Sequence, residues 1–192
     1  MIPQKGNLTE TPNKSCCCLT RQLNLSSAHL LFWPVFFIGL AADLWSKSAV
    51  FNWLSPQAPQ RYSIIDGFFQ LVIVENRGAA WGIAADKTIT LVVISVLAFV
   101  VIFSMFIFGR KLQAPVVLAL ALFAAGICGN LYDRLFNNGK VRDFLDFYYK
   151  DWHFPAFNIA DSMLTVAVFI LILMTIFCPK NPQEHTKSDS VP

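Results

Sequence analysis

Apolar residues along this chain collect into four long runs separated by polar, turn-rich stretches. The runs cover about 30–54, 88–108, 115–133 and 157–177, each close to the roughly 20 residues that a helix needs to cross a bilayer. The second run, TITLVVISVLAFVVIFSMFIF, contains no charged residue. Residues 55–87 break the pattern, with Pro56, Pro59, Asp66-Gly67 and Asn76-Arg77-Gly78 punctuating the β-prone runs of YSIIDGFFQLVIVEN. That punctuation predicts a small sheet at the membrane surface, with Gly67 supplying the positive φ of a tight hairpin. Residues 1–28 and 180–192 read as polar tails around a four-span domain at 29–179. The expected fold class is therefore a membrane all-α bundle with a small β element.

Composition agrees. Of 192 residues, 55% are hydrophobic and only 14% charged, which excludes an ordinary soluble domain. The formal net charge of +3 gives no reason to invoke nucleic acid. Cys16, Cys17 and Cys18 are consecutive, while Cys128 and Cys178 sit in apolar runs as small packers. Neither a disulfide framework nor a metal site has the spacing it would need. Arg110 and Lys111 occupy the shortest loop, which places that loop in the cytoplasm and both termini with it. The other loops also carry bases, but they hold nearly all the acids. The unusual polar residues then converge on the outer face of the membrane.

Acids are concentrated in one stretch, 126–162, which contains Asp133, Asp143, Asp146, Asp151 and Asp161. Ionisable groups at the edge of hydrocarbon usually mark function. Two carboxylates sharing a proton across a water can hydrolyse an amide, one accepting a proton from the water while the other donates toward the carbonyl. His29, His153 and His185 offer no partner for a nucleophilic serine or cysteine, so an acid pair is the chemistry available. Spacing alone leaves open which two acids act. Asp161 follows Asn158 by three residues and suits a helix cap. Asp143 reads as a loop acid, Asp133 as compensated by the adjacent Arg134 or another base, and Asp146 and Asp151 as ordinary loop residues. Asp43 and Lys47, four apart on one helix face, read equally as a snorkelling ion pair or as part of a polar site.

Five segments in order are similar to the motif set of lipoprotein signal peptidases, the signal peptidase II family of bacterial membrane aspartic peptidases. They are DLWSK at 43–47, ENRGAAWGI at 75–83, GNLYDR at 129–134, VRDFLDF at 141–147 and FPAFNIADS at 154–162. The resemblance covers about 30–178. It implies a four-helix bundle with an extracytoplasmic β-cradle, at about 55–87 here, in the bacterial inner membrane. It implies removal of signal peptides from diacylglyceryl-modified prolipoproteins, cleaving just before the lipid-bearing cysteine, without metal or cofactor. The catalytic aspartates of the family fall on Asp143 and Asp161. Supporting positions fall on Asn76, Gly78, Asn130, Asp133, Arg134, Asn158, Asp43 and Lys47. The expected partners are those substrates and membrane lipids, and the expected state is a monomer. Trp81 and Arg142 depart from the family pattern. The competing readings are a transporter or proton relay, which needs acids in mid-span, and a non-catalytic binder of lipoproteins.

Overall fold

The computed structural model describes residues 22–78, 87–109 and 112–177. The tails with Cys16, Cys17, Cys18, Cys178 and His185, the loop at Trp81 and the Arg110-Lys111 turn lie outside the described residues. The four apolar runs form helices α1 (Leu25–Leu54), α2 (Thr88–Phe108), α3 (Ala114–Phe136) and α4 (Ile159–Phe177), each long and apolar enough to cross a membrane. Strands β1 (Arg61–Ile65), β2 (Phe69–Asn76), β3 (Val141–Tyr149) and β4 (Trp152–His153) form one antiparallel sheet in the order β1-β2-β3-β4.

Local chemistry sets the helix ends. Asn24 caps α1, its Oδ1 accepting from the Ser27 N–H at 2.7 Å, so α1 starts ahead of the apolar run. Pro34, expected near the start of that helix, therefore lies in its interior. Pro115 stands in the first turn of α3, where its missing N–H breaks no intrahelical bond. Gly67 turns the β1–β2 hairpin at φ 76°.

Helix α3 is the centre of the bundle. Its buried positions include Ala119, Ala121, Ala124, Ala125, Gly126 and Gly129, small residues that let neighbouring backbones approach closely. Helices α1, α2 and α4 all pack on it. At one end of the bundle, an aromatic cluster closes α1 against α2, with Phe32 stacked on Phe106 at 3.8 Å between centroids. The opposite end carries the sheet and every candidate site residue.

The sheet is larger than 55–87 alone. Segment 141–153, read from sequence as loop, supplies β3 and β4. β3 pairs with β2 through Asn76↔Val141, Val74↔Asp143 and Gln70↔Asp146. It also bonds to the entry of α4, with Phe144 and Leu145 N–H groups both donating to the Phe157 carbonyl at 3.0 and 2.9 Å. Asp143 is thus a strand residue, fixed between sheet and bundle.

Gly129 marks the tightest contact of this end. A Cβ there would strike the Asp43 carboxylate and come within 3.3 Å of the Ala160 methyl. Replacing a helical glycine with alanine ordinarily stabilises by about 1 kcal/mol. Gly129→Ala is expected to reverse that sign and destabilise the bundle by about 1–3 kcal/mol, as overpacking does. Unfolding of the detergent-solubilised protein, compared with an alanine at a solvent-facing helical position, measures it.

Candidate active site

Every expected site residue converges on the polar end of the bundle. α1 contributes Asp43 and Lys47, β2 ends at Asn76 with Gly78 just beyond, and α3 contributes Asn130, Asp133 and Arg134. β3 holds Asp143, and the first turn of α4 brings Asn158 and Asp161. The turn is a reciprocal cap. The Asp161 N–H donates to Asn158 Oδ1 at 3.0 Å, and the Asn158 N–H donates to Asp161 Oδ2 at 3.2 Å.

The same Asn158 reaches the other carboxylate, its Nδ2 donating to Asp143 Oδ1 at 2.7 Å and to Asn130 Oδ1 at 3.2 Å. Asn76 Nδ2 donates to Asp143 Oδ2 at 3.0 Å, and Asn130 Nδ2 to Asp161 Oδ1 at 2.8 Å. Each of the four carboxylate oxygens thus accepts one amide hydrogen, leaving further lone-pair capacity for a water or substrate. Burial pushes the Asp143 carboxyl up to about 7, and the charge of Asp161 adds to the rise. The amides of Asn76 and Asn158 and the Lys47 ammonium pull in the opposite direction.

Beneath the pair lies a closed group of charges. Lys47 and Asp43 have no exposed surface and pair at 2.7 Å, so they are buried together and do not snorkel to the interface. Lys47 also meets Asp133 at 3.3 Å and donates to Asn130 Oδ1 at 3.1 Å. Asp43 Oδ1 accepts from the Ala160 N–H of α4 at 2.8 Å. Unpaired charges at this depth would be strongly destabilising.

The geometry settles one open reading and corrects another. Of the two readings for Asp133, the adjacent Arg134 or another base, the structure has the second: its ion pairs are with Lys47 and Arg142, with no direct contact to Arg134. Arg142 Nε and Nη2 donate to Asp133 Oδ1 at 3.1 and 2.7 Å, and its N–H donates to Oδ2 at 3.0 Å. Neighbours in sequence on a helix do not face one another. Arg134 turns toward the cavity, its Nη2 donating to the Gly78 carbonyl at 3.2 Å. Asp146 is also no ordinary loop residue: it is buried, and its Oδ2 meets Gln70 Nε2 at 2.7 Å and His153 Nδ1 at 2.8 Å, tying β2, β3 and β4. Asp151 stands in an exposed turn, as expected. Sequence reasoning missed the Gln70, Asp146 and His153 cluster because its members are dispersed along the chain.

A cavity of about 700 Å³ opens over the pair. Asn76, Gly78, Arg134, Asp143 and Asp161 line its polar end, while Ile127 of α3 and Leu164 and Val166 of α4 line its apolar side, with Ser95 from α2. Among the described residues, no group of His, Cys, Asp and Glu could hold a metal ion. The arrangement is suited to acid–base chemistry on a bond held at the end of an apolar groove.

Comparison with known proteins agrees with this geometry. The family description of signal peptidase (SPase) II matches residues 35–177. A lipoprotein signal peptidase of Sulfurihydrogenibium sp. (strain YO3AOP1) is 41% identical, over 79% of this chain and 94% of its own length. One from Neisseria gonorrhoeae is 33% identical, over 82% of this chain and 96% of its own length. Among solved structures, a bacterial membrane enzyme determined by the in meso method superposes with a TM-score of 0.68 at 25% identity, covering 90% of this chain and 98% of its own. The chain belongs to the signal peptidase II family and is a peptidase of the bacterial inner membrane.

Proposed function

We propose that this peptidase removes the signal peptide from diacylglyceryl-modified prolipoproteins, cleaving just before the lipid-bearing cysteine, with Asp143 and Asp161 as the catalytic residues. The observation that carries the reading is Asn158, a fully buried residue bonded to both carboxylates at once. Such a bridge holds two acids in a fixed mutual geometry, which water activation by a shared proton requires. The lipoprotein signal peptidases that the chain resembles supply the substrate class.

In the free enzyme near neutrality, the elevated Asp143 carboxyl retains the proton that the pair shares. A water between the carboxyls loses a proton to the ionised member and attacks the scissile carbonyl. The protonated member donates to the carbonyl oxygen, giving a neutral gem-diol. Return of a proton to the amide nitrogen, with loss of the hydroxyl proton, breaks the C–N bond and restores the pair. Arg134, between the Gly78 carbonyl and the dyad, orients the backbone of the incoming peptide. Asn76, Asn130 and Asn158 hold the carboxylates, and Asp43, Lys47 and Asp133 hold the asparagines in turn.

The apolar side of the cavity accommodates the signal-peptide helix and the diacyl chains from the bilayer. In this reading both termini are cytoplasmic, and the site faces the outer side of the membrane on a monomer. A proton-relay reading would place acids in mid-span, whereas α2 carries no charge and the acids of α1, α3 and α4 lie toward one end.

Asp143→Asn and Asp161→Asn are each expected to lower cleavage of a purified diacylated prolipoprotein by at least about 10²-fold, the range that acid–base groups contribute. Circular dichroism checks that each variant remains folded. Near-normal processing by either would refute the assignment. The pH dependence follows from the sign of the Asp143 shift: above about pH 7 the shared proton is lost, both carboxyls are ionised, and no donor remains. A profile of kcat/KM should therefore show an alkaline limb near that pH, and a rate that stays flat well above it would contradict the proton-sharing scheme.

A further inference from the structure

We propose that Arg142 is a positioning residue for the Asp143/Asp161 pair, acting through Asp133 and Lys47 on the amide of Asn130. The proposal rests on the two-aspartate reading above. Arg142 stands opposite Glu75 in the β2–β3 register, where an exposed cross-strand pair would be the simple outcome. Glu75 is instead taken by Lys140, and Arg142 turns inward to the buried Asp133. Its guanidinium occupies Asp133 Oδ1 at 3.1 and 2.7 Å and reaches Ser48 Oγ of α1 at 3.3 Å, while its backbone N–H takes Asp133 Oδ2 at 3.0 Å.

Two consequences follow. The start of β3 is pinned to the last turns of α3 one residue before Asp143, so that carboxylate cannot shift along the strand direction without breaking the fork. In addition, Asp43 and Asp133 are balanced by Lys47 and Arg142, three of the four side chains having no exposed surface and Arg142 18%. With its own cation, Asp133 leaves Lys47 free to keep a donor on Asn130 Oδ1 at 3.1 Å. That contact, together with the Asn158 Nδ2 donor at 3.2 Å, sets the orientation of the amide, with Nδ2 toward Asp161 Oδ1 at 2.8 Å. Without Arg142, Asp133 retains Lys47 as its only cation among these contacts. The ammonium is then drawn toward Asp133, and Asn130 loses the charged one of the two donors that set which of its ends faces the dyad.

Charged groups facing the Asp143 carboxyl are Asp161 from α4, Arg134 from α3 and Lys47 from α1, with neutral Asn76 and Asn158 completing its surroundings. Movement of Lys47 away from the dyad favours the protonated form. Arg142 does not line the cavity, so its loss should fall on kcat and leave KM nearly unchanged.

The test is steady-state cleavage of a diacylated prolipoprotein across pH by wild type, Arg142→Met, Arg142→Lys and Arg142→Met with Asp133→Asn, with Asp143→Asn run alongside. Arg142→Met is expected to lower kcat by on the order of 10- to 100-fold, as small misplacements of catalytic groups do. Its alkaline limb should rise by about half a pH unit or more. Arg142→Lys keeps the charge but not the fork, so it should lose part of kcat while its limb stays at the wild-type pH. The double variant removes one charge of each sign and should bring the limb back. Wild-type kcat in Arg142→Lys, a limb unmoved in Arg142→Met, or a loss confined to KM would each overturn the proposal. Should Arg142→Met not fold, kcat of Arg142→Lys decides alone. Continued cleavage by Asp143→Asn would instead overturn the two-aspartate reading itself.

Discussion

An ammonium group with no exposed surface, placed at the end of a bilayer-spanning helix, constrains everything around it. Lys47 must be satisfied from inside, because hydrocarbon offers no solvation and an unpaired charge there is intolerable. Its partners come from two helices, Asp43 on α1 and Asp133 and Asn130 on α3, and Asp43 extends the network to the Ala160 N–H in the first turn of α4. The close approach that this demands explains Gly129, the small-residue face of α3 and the alanine that begins the α4 contact. A single buried cation thus fixes the relative positions of three helices at the end where chemistry is possible.

How much of this could be read from sequence depended on whether the signal was local. Runs of about 20 apolar residues announce spanning helices without reference to anything else. The spacing of Asn158 and Asp161 announces a cap, and the cap is present. The ordered motifs carried the family. Strand β3 was not legible because it is buried on both faces: Asp143, Phe144 and Asp146 are all inaccessible, which erases the period-two alternation that marks a half-buried strand. Its pairing also depends on β2, some 67 residues away at the contact between Asn76 and Asp143. For Asp133 the sequence leaves the choice of base open for the same reason. Arg134 is next in sequence but points elsewhere on the helix, whereas Arg142 arrives from a strand whose existence had to be known first. The depth of Asp43 and Lys47 was likewise invisible, since four-residue spacing is the same at the interface and below it.

The site also shows why a peptidase in a membrane carries a sheet. Asp143 belongs to the sheet and Asp161 to the bundle, so neither element contains the proposed pair alone. The join is made by main-chain bonds between β3 and Phe157, by the Asn158 amide on Asp143, and by the fork of Arg142 on Asp133. Phe157 and Asp143 line the cavity themselves, so the join forms part of its wall, facing the apolar side chains of α3 and α4.

The bridging Asn158 has a mechanical consequence. Membranes flex, thin and thicken, and a spanning helix such as α4 tilts in response. A pair of carboxylates fastened to independent supports would feel each tilt as a change in their separation. Here one residue at the pivot of α4 is bonded to both groups, so displacement of that pivot carries the two carboxylates in the same direction. On the proposed mechanism, the bilayer could then move the pair as a body without parting the two carboxylates that share the proton.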